Sequence, residues 1–181
     1  MSWVTKCTLT LGCFVGVLLT GIGAVSWLGL RLNLSDSLPR GVYQETHERI
    51  HPGTLVAECL PPELAAFGTQ RGWLGKGYCP TGTPPILKQV VAVAGDTVEV
   101  TDDFVAVNGS KIPCSATQQF DSQGRKIPAI ARGIYAIQPS EVFLLATNIP
   151  NSWDSRYTGP ARLGDIIATA RPVWTEGKHE C

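Results

Sequence analysis

An excess of charge of either sign is missing from this chain. Its 15 lysines and arginines are matched by 15 aspartates and glutamates, so no overall field draws it toward nucleic acid. No nucleic-acid partner is expected. A metal-site spacing is missing too: six cysteines are present, but no Cys-x-x-Cys pair has matching histidines, which argues against zinc. Neither metal nor cofactor is expected. There is also no internal repeat, no low-complexity tract and no linker. For 181 residues this excludes a second large domain beside one sizeable core.

What is present begins with an uncharged run. Between Lys6 and Arg31 lie 24 residues without a charge, rich in leucine and valine. As a helix they would extend about 36 Å, enough to cross a hydrocarbon core of about 30 Å. Trp27 falls near the far end, where an interfacial aromatic is expected. A cleaved secretory signal ending at Ala24-Val25-Ser26 is the alternative, but the run exceeds the roughly 7 to 15 apolar residues of such a region. Residues 1–31 are therefore read as a single-pass anchor in the cytoplasmic membrane, and 32–181 as one extracytoplasmic domain. Cys59, Cys79, Cys114 and Cys181 in that domain suit an oxidising compartment. Of the three ways to pair them, Cys59 with Cys79 is favoured, because these bracket a Pro/Gly-rich insertion.

With 19 glycines, 13 prolines and many valines and isoleucines, the domain reads as mainly β. Residues 31–43 form an extended lead-in, 54–60 a strand, and 61–67 a short helix opened by proline. A loop spans 68–85. The run Ile86-Leu87-Lys88-Gln89-Val90-Val91-Ala92-Val93-Ala94 is the strongest strand, ended by Gly95-Asp96. Further strands are expected over 97–100, 104–107, 133–137, 141–147 and 165–171. Asn108-Gly109 marks a hairpin turn, 113–132 a polar surface excursion, and the tail after Trp174 is expected to fray.

Three stretches could carry chemistry. Ser35-Asp36-Ser37-Leu38-Pro39-Arg40-Gly41-Val42-Tyr43 offers Ser37 as a nucleophile, which needs a base elsewhere. Lys88 sits in the most apolar strand. Its bland reading is a side chain that snorkels to water at a sheet edge; buried instead, it would lose proton affinity and become a base near neutral pH. Asn151-Ser152-Trp153-Asp154-Ser155-Arg156-Tyr157-Thr158-Gly159 supplies a carboxylate, hydroxyls and a guanidinium, or simply a self-bonded loop. His47 and His51 would share a face if helical, but Pro52 and the charged setting favour a solvated loop.

In combination, a Ser-x-Ser-x-Pro box just after an anchor, a lysine in an apolar strand ending in Gly-Asp, and the Asn-Ser-x-Asp-Ser-Arg-Tyr-x-Gly box resemble the type I signal peptidases, serine proteases with a Ser/Lys dyad. Gly164-Asp165-Ile166-Ile167 through Val173-Trp174 is similar to that family's last strand. The resemblance implies a signal-peptidase-like β-rich catalytic domain, with Ser37 as nucleophile and Lys88 as general base. It also implies Asp154 as a catalytic-site residue, with Ser152, Ser155 and Arg156 in support, and an oxyanion hole of Ser35 with the Ser37 amide. Leu38 and Arg40 depart from the housekeeping pattern, and the chain has no room for a large accessory β domain. Ser-Leu-Pro-Arg-Gly-Val-Tyr after a single anchor is more similar to the conjugative-transfer branch that matures pilins.

That branch implies a protein substrate, a pilin or other exported precursor; Ser37 lies six residues beyond Arg31, which at about 3.3 Å per residue implies a cut within roughly 20 Å of the anchor's end. Other transfer-apparatus proteins become expected partners beside the membrane. Some branch members join the new carboxyl end to the substrate's own amine, so hydrolysis and cyclisation both stay open. A general signal peptidase and a non-enzymatic envelope scaffold are the alternatives. A self-cleaving repressor-type protease is disfavoured by the apolar run.

Overall fold

The computed structural model describes residues 28–147, 149 and 151–177. The segment read as an anchor lies outside them up to residue 27, as does the tail from 178. Among the described residues no helix is long and apolar enough to cross a membrane. Leu30 and Arg31, which the sequence reading assigned to the anchor, belong to strand β1 (Leu30–Asn33). The expected extended lead-in is thus β1, a tight loop, and the start of β2 (Gly41–Thr46).

Among the described residues eleven strands, most of them short, give a mainly β fold. They include β3 (Leu55–Glu58), β4 (Ile86–Val93), β9 (Glu141–Leu145), β10 (Ala161–Arg162) and β11 (Ile166–Thr175). These form a seven-stranded sheet in the order β1-β2-β11-β3-β4-β9-β10. The last strand is therefore central: β11 pairs with β2 on one side and β3 on the other. Pro172 has no N–H for the ladder, and the β2 register slips between Pro172 and Trp174. This order brings the loop before β2 and the apolar strand β4 into one sheet.

β5 (Thr97–Val100), β6 (Val105–Val107), β7 (Ser110–Ile112) and β8 (Gly133–Ala136) make a second sheet in the order β7-β6-β5-β8. The Asn108-Gly109 turn between β6 and β7 has φ of 50° and 80°, the positive pair a type I′ hairpin requires. Val98, Val100 and Val105 pack with Ala92, Phe143 and Leu145 into one core cluster that joins the two sheets. A second cluster, Val56, Val90, Val142 and Leu144, lies within the larger sheet.

Helix α1 (Pro62–Gln70) starts on proline as expected but runs three residues past the expected end. It continues through Gly68, where an added Cβ would lie 2.6 Å from Leu74 Cδ1. The missing side chain lets the returning chain pack Leu74 against the helix. Residues 113–132 are not merely a surface excursion, because Ser115, Thr117, Asp121 and Ile127 are buried. The segment's polar groups bond internally: Ser115 Oγ accepts from Val105 N at 2.7 Å and donates to Ile112 O at 2.6 Å. Asp121 accepts from Arg125 Nε at 2.7 Å. Burial opposes ionisation of Asp121, but donation from Arg125 and nearby amides outweighs it and holds the carboxyl down to about 2. Hydrophobic periodicity could not reveal a segment buried through its own hydrogen bonds.

Cys59 and Cys79 form a disulfide that ties the end of β3 to the loop after α1. Cys114 is disulfide-bonded as well, and Cys181 lies outside the described residues.

Candidate active site

The loop between β1 and β2 presents Ser37, and Asn33 shapes it. Asn33 Nδ2 donates to the carbonyls of Ser35, Leu38 and Pro39, each at 3.2 Å. Its Oδ1 accepts from Ser35 N at 3.2 Å and from Ser35 Oγ at 2.8 Å. Tyr43 Oη donates to Pro39 O at 2.6 Å, and Leu38 is buried beneath the loop. Pro39 ends the turn in a fixed backbone geometry. Gly41 then passes so close to β11 that a Cβ would lie 2.1 Å from Trp174 O, at a φ of 152°. Only glycine fits there. Ser37 is left half-buried.

Lys88 is 3% exposed, in the middle of β4. The strand's inward residues are Lys88, Val90 and Ala92, so the lysine replaces an apolar residue on the core face rather than snorkelling at an edge. Burial pulls its ammonium down to about 8, against the attraction of Asp154 and Glu58 and with help from Arg156. A buried cation lacking enough compensation gives up its proton more readily.

The box 151–159 is built around one ion pair. Arg156 Nε donates to Asp154 Oδ1 at 2.9 Å and Nη2 to Oδ2 at 2.8 Å, and both side chains are fully buried. The same guanidinium donates to the carbonyls of Ala116 at 2.8 Å and Ala146 at 3.2 Å. Asp154 also caps the short helix α2 (Ser155–Thr158), accepting from Arg156 N, and accepts from Ala146 N at 3.0 Å. Ser155 Oγ accepts from Leu144 N at 2.9 Å. The box is thereby fastened to β9. Trp153 stacks 5.4 Å from Phe67 and 5.7 Å from Tyr157, which seats the same segment on α1.

Ser152, at 1% exposure, turns its hydroxyl the other way and donates to Ser37 Oγ at 3.2 Å. Ser35, Ser37, Lys88 and Ser152 all line one cavity of about 690 Å³, walled further by Leu74 and Tyr78 from the stapled loop. Ser37 accepts that bond, so its own proton is available to a base. Asp154, Ser155 and Arg156 stand behind the cavity wall. The Asp154 acceptors are taken by Arg156 and backbone amides, and no hydrogen bond joins it to Lys88 or Ser37 among the described residues. The Ser35 hydroxyl is engaged by Asn33, so service to an oxyanion requires it to rotate. His47 and His51 are exposed outside regular structure, and His51 Nδ1 lies 2.9 Å from Pro52 O. Among the described residues no group of three or more His, Cys, Asp or Glu could hold a metal.

Sequence reasoning missed Asn33, Tyr43 and Glu58. Asn33 was legible in principle as an Asx residue just before a turn. Tyr43 carried no signal beyond its place in the box. Glu58, an acid at the end of an apolar strand, is buried, and its only signal in the sequence is a lone charge among apolar strand residues.

Residues 9–175 match the family described as signal peptidase, peptidase S26. Relatives include a plasmid transfer protein TraF of Escherichia coli, 35% identical and covering 88% of this chain and 91% of its own length. A conjugal transfer protein TraF of Agrobacterium tumefaciens is 35% identical over 81% of this chain and 83% of its own. Among solved structures, a signal peptidase I from Enterococcus faecalis aligns with a TM-score of 0.40 at 16% identity, over 68% of this chain and 97% of that one.

Proposed function

This chain belongs to the S26 signal peptidase family, and from that premise we propose that it is a serine endopeptidase of conjugative transfer, with Ser37 as nucleophile and Lys88 as base. The relatives named as plasmid and conjugal transfer proteins support the process. The observation that carries the chemistry is the meeting in one cavity of Ser37 with a buried lysine whose proton affinity is depressed to about 8.

In this reading neutral Lys88 takes the Ser37 proton as Oγ attacks the scissile carbonyl. The Ser37 amide and a rotated Ser35 hydroxyl stabilise the oxyanion. Ser152 orients Ser37 Oγ, and Asp154 with Ser155 and Arg156 holds Ser152 in place while touching no reacting atom. The amine product leaves with the proton from Lys88, and water or a substrate amine then attacks the acyl-enzyme. The segment before Leu30 anchors the chain in the cytoplasmic membrane, since Leu30 and Arg31 belong to β1, and the domain from β1 onward lies on its outer side. The short path from Leu30 to Ser37, at about 3.3 Å per residue, keeps the cleavage within roughly 25 Å of the bilayer. The substrate is an exported precursor, with a conjugative pilin as the first candidate.

The test incubates the full chain with a pilin precursor, wild type beside Ser37→Ala and Lys88→Ala, and reads the product by mass spectrometry. Cleavage by wild type alone is expected. A product lighter than the linear peptide by one water identifies cyclisation. Normal processing by either variant overturns the dyad.

A further inference from the structure

β3 carries a buried acid that this chemistry does not use. Glu58 is 5% exposed. The register sets Val56 opposite Lys88 and Glu58 opposite Ile86, so Glu58 and Lys88 occupy the same face of adjacent strands, one diagonal step apart. Among the described residues no hydrogen bond or ion pair reaches the Glu58 carboxyl group. A buried carboxylate with no donor is costly to ionise. The surroundings of the pair are few. Lys88 is faced by Glu58 from β3 and by Asp154 and Arg156 from the box. Glu58 is faced by Lys88 from β4 and by Asp165 from the turn before β11.

Asp154 is locked to Arg156 by two hydrogen bonds, at 2.9 and 2.8 Å. Glu58 is different, because its charge is not locked by any partner. We propose that Glu58 is a positioning residue for the proton of Lys88: its neutral carboxyl leaves the amine free to act as base, and its carboxylate holds a proton on the amine. The neutral pair and the ion pair contain the same number of protons, yet only the neutral pair can accept the proton of Ser37. Burial, reinforced by Asp165 and opposed by Lys88, pushes the Glu58 carboxyl up to about 7. The Glu58 carboxyl therefore titrates in the range where the enzyme would work, while the balance between the two one-proton forms is itself independent of pH. The catalytic consequence rests on Lys88 being the base; the coupling between the two side chains does not.

The experiment uses the full chain in detergent micelles, with wild type, Glu58→Gln and Asp165→Asn compared in two readouts. One is the pH profile of kcat/KM on a precursor peptide; the other is the titration of the Lys88 amine followed by NMR with labelled lysine. In Glu58→Gln both midpoints are expected to fall by roughly half to one pH unit, which raises the rate about three- to tenfold at pH values below the wild-type midpoint and leaves the alkaline plateau unchanged. In Asp165→Asn Glu58 ionises more readily, so both midpoints are expected to rise. This opposite sign keeps the test alive if Glu58→Gln does not fold. Unmoved Lys88 titration in the folded variants overturns the proposal, and the dyad reading survives if the wild-type profile still follows Lys88. A moved titration with an unmoved rate profile upholds the coupling and overturns Lys88 as base.

Discussion

Lys88 pays no part of its way in stability, and that makes it diagnostic. Burial lowers its proton affinity from the ordinary 10.5 to about 8, so the unfolded chain binds a proton more tightly than the native one. The resulting penalty is fully present below pH about 8 and disappears as pH rises past about 10.5. Lys88→Met, close in volume and without charge, is therefore expected to be inactive yet more stable by on the order of 3 kcal/mol at pH 7. The gain should shrink toward zero above pH 10.5. Urea denaturation at pH 7 and at alkaline pH checks both halves, and a variant less stable than wild type at pH 7 would show the ammonium to be well compensated. In wild type, kcat/KM should rise with pH to a plateau above about 8. Ser35 makes a separate prediction: Ser35→Ala should slow kcat on the order of a hundredfold if the hydroxyl leaves Asn33 for the oxyanion. An unchanged kcat would confine Ser35 to shaping the loop.

At the scale of elements, the strands were legible because period and turn chemistry agree. The β4 run and the Asn108-Gly109 turn stand where expected. Sequence also pointed to Ser37, Lys88 and the box as separate stretches, but not to what joins them. The Ser152–Ser37 contact depends on β11 lying between β2 and β3, a long-range pairing that no local window contains. Asn33 escaped because its three carbonyl partners lie in a loop whose shape it creates. The Asp154–Arg156 pair ties the box to β9 and to the segment after β7. Arg156→Leu leaves Asp154 buried without its bidentate partner and the Ala116 carbonyl without its donor. It is expected to destabilise the fold by roughly 3 to 5 kcal/mol. The denaturant midpoint should fall accordingly, whereas a loss below about 1 kcal/mol would mean water reaches the site.

Across the whole molecule, the cleft is assembled from distant parts of the chain: the β1–β2 hairpin, the loop after α1 and the start of the box at Ser152. Two of these walls meet at Tyr78, whose hydroxyl donates to Glu45 Oε1 at 2.9 Å while Arg31 lies 5.5 Å over its ring. Tyr78 is held there by its neighbour Cys79, bonded to Cys59 across a separation of 20 residues. The staple fixes a binding wall, and it touches neither Ser37 nor Lys88. The double substitution Cys59→Ser with Cys79→Ser should thus cost about 3 kcal/mol of stability through the freed unfolded chain. It should also raise KM for a precursor peptide several-fold while kcat stays near wild type, because the reacting groups are carried by β4, the β1–β2 loop and the box. Tyr78→Phe, which keeps the ring but drops the Glu45 bond, should produce a smaller rise in KM. A fall in kcat with KM unchanged would instead mean that the staple aligns the reacting groups themselves.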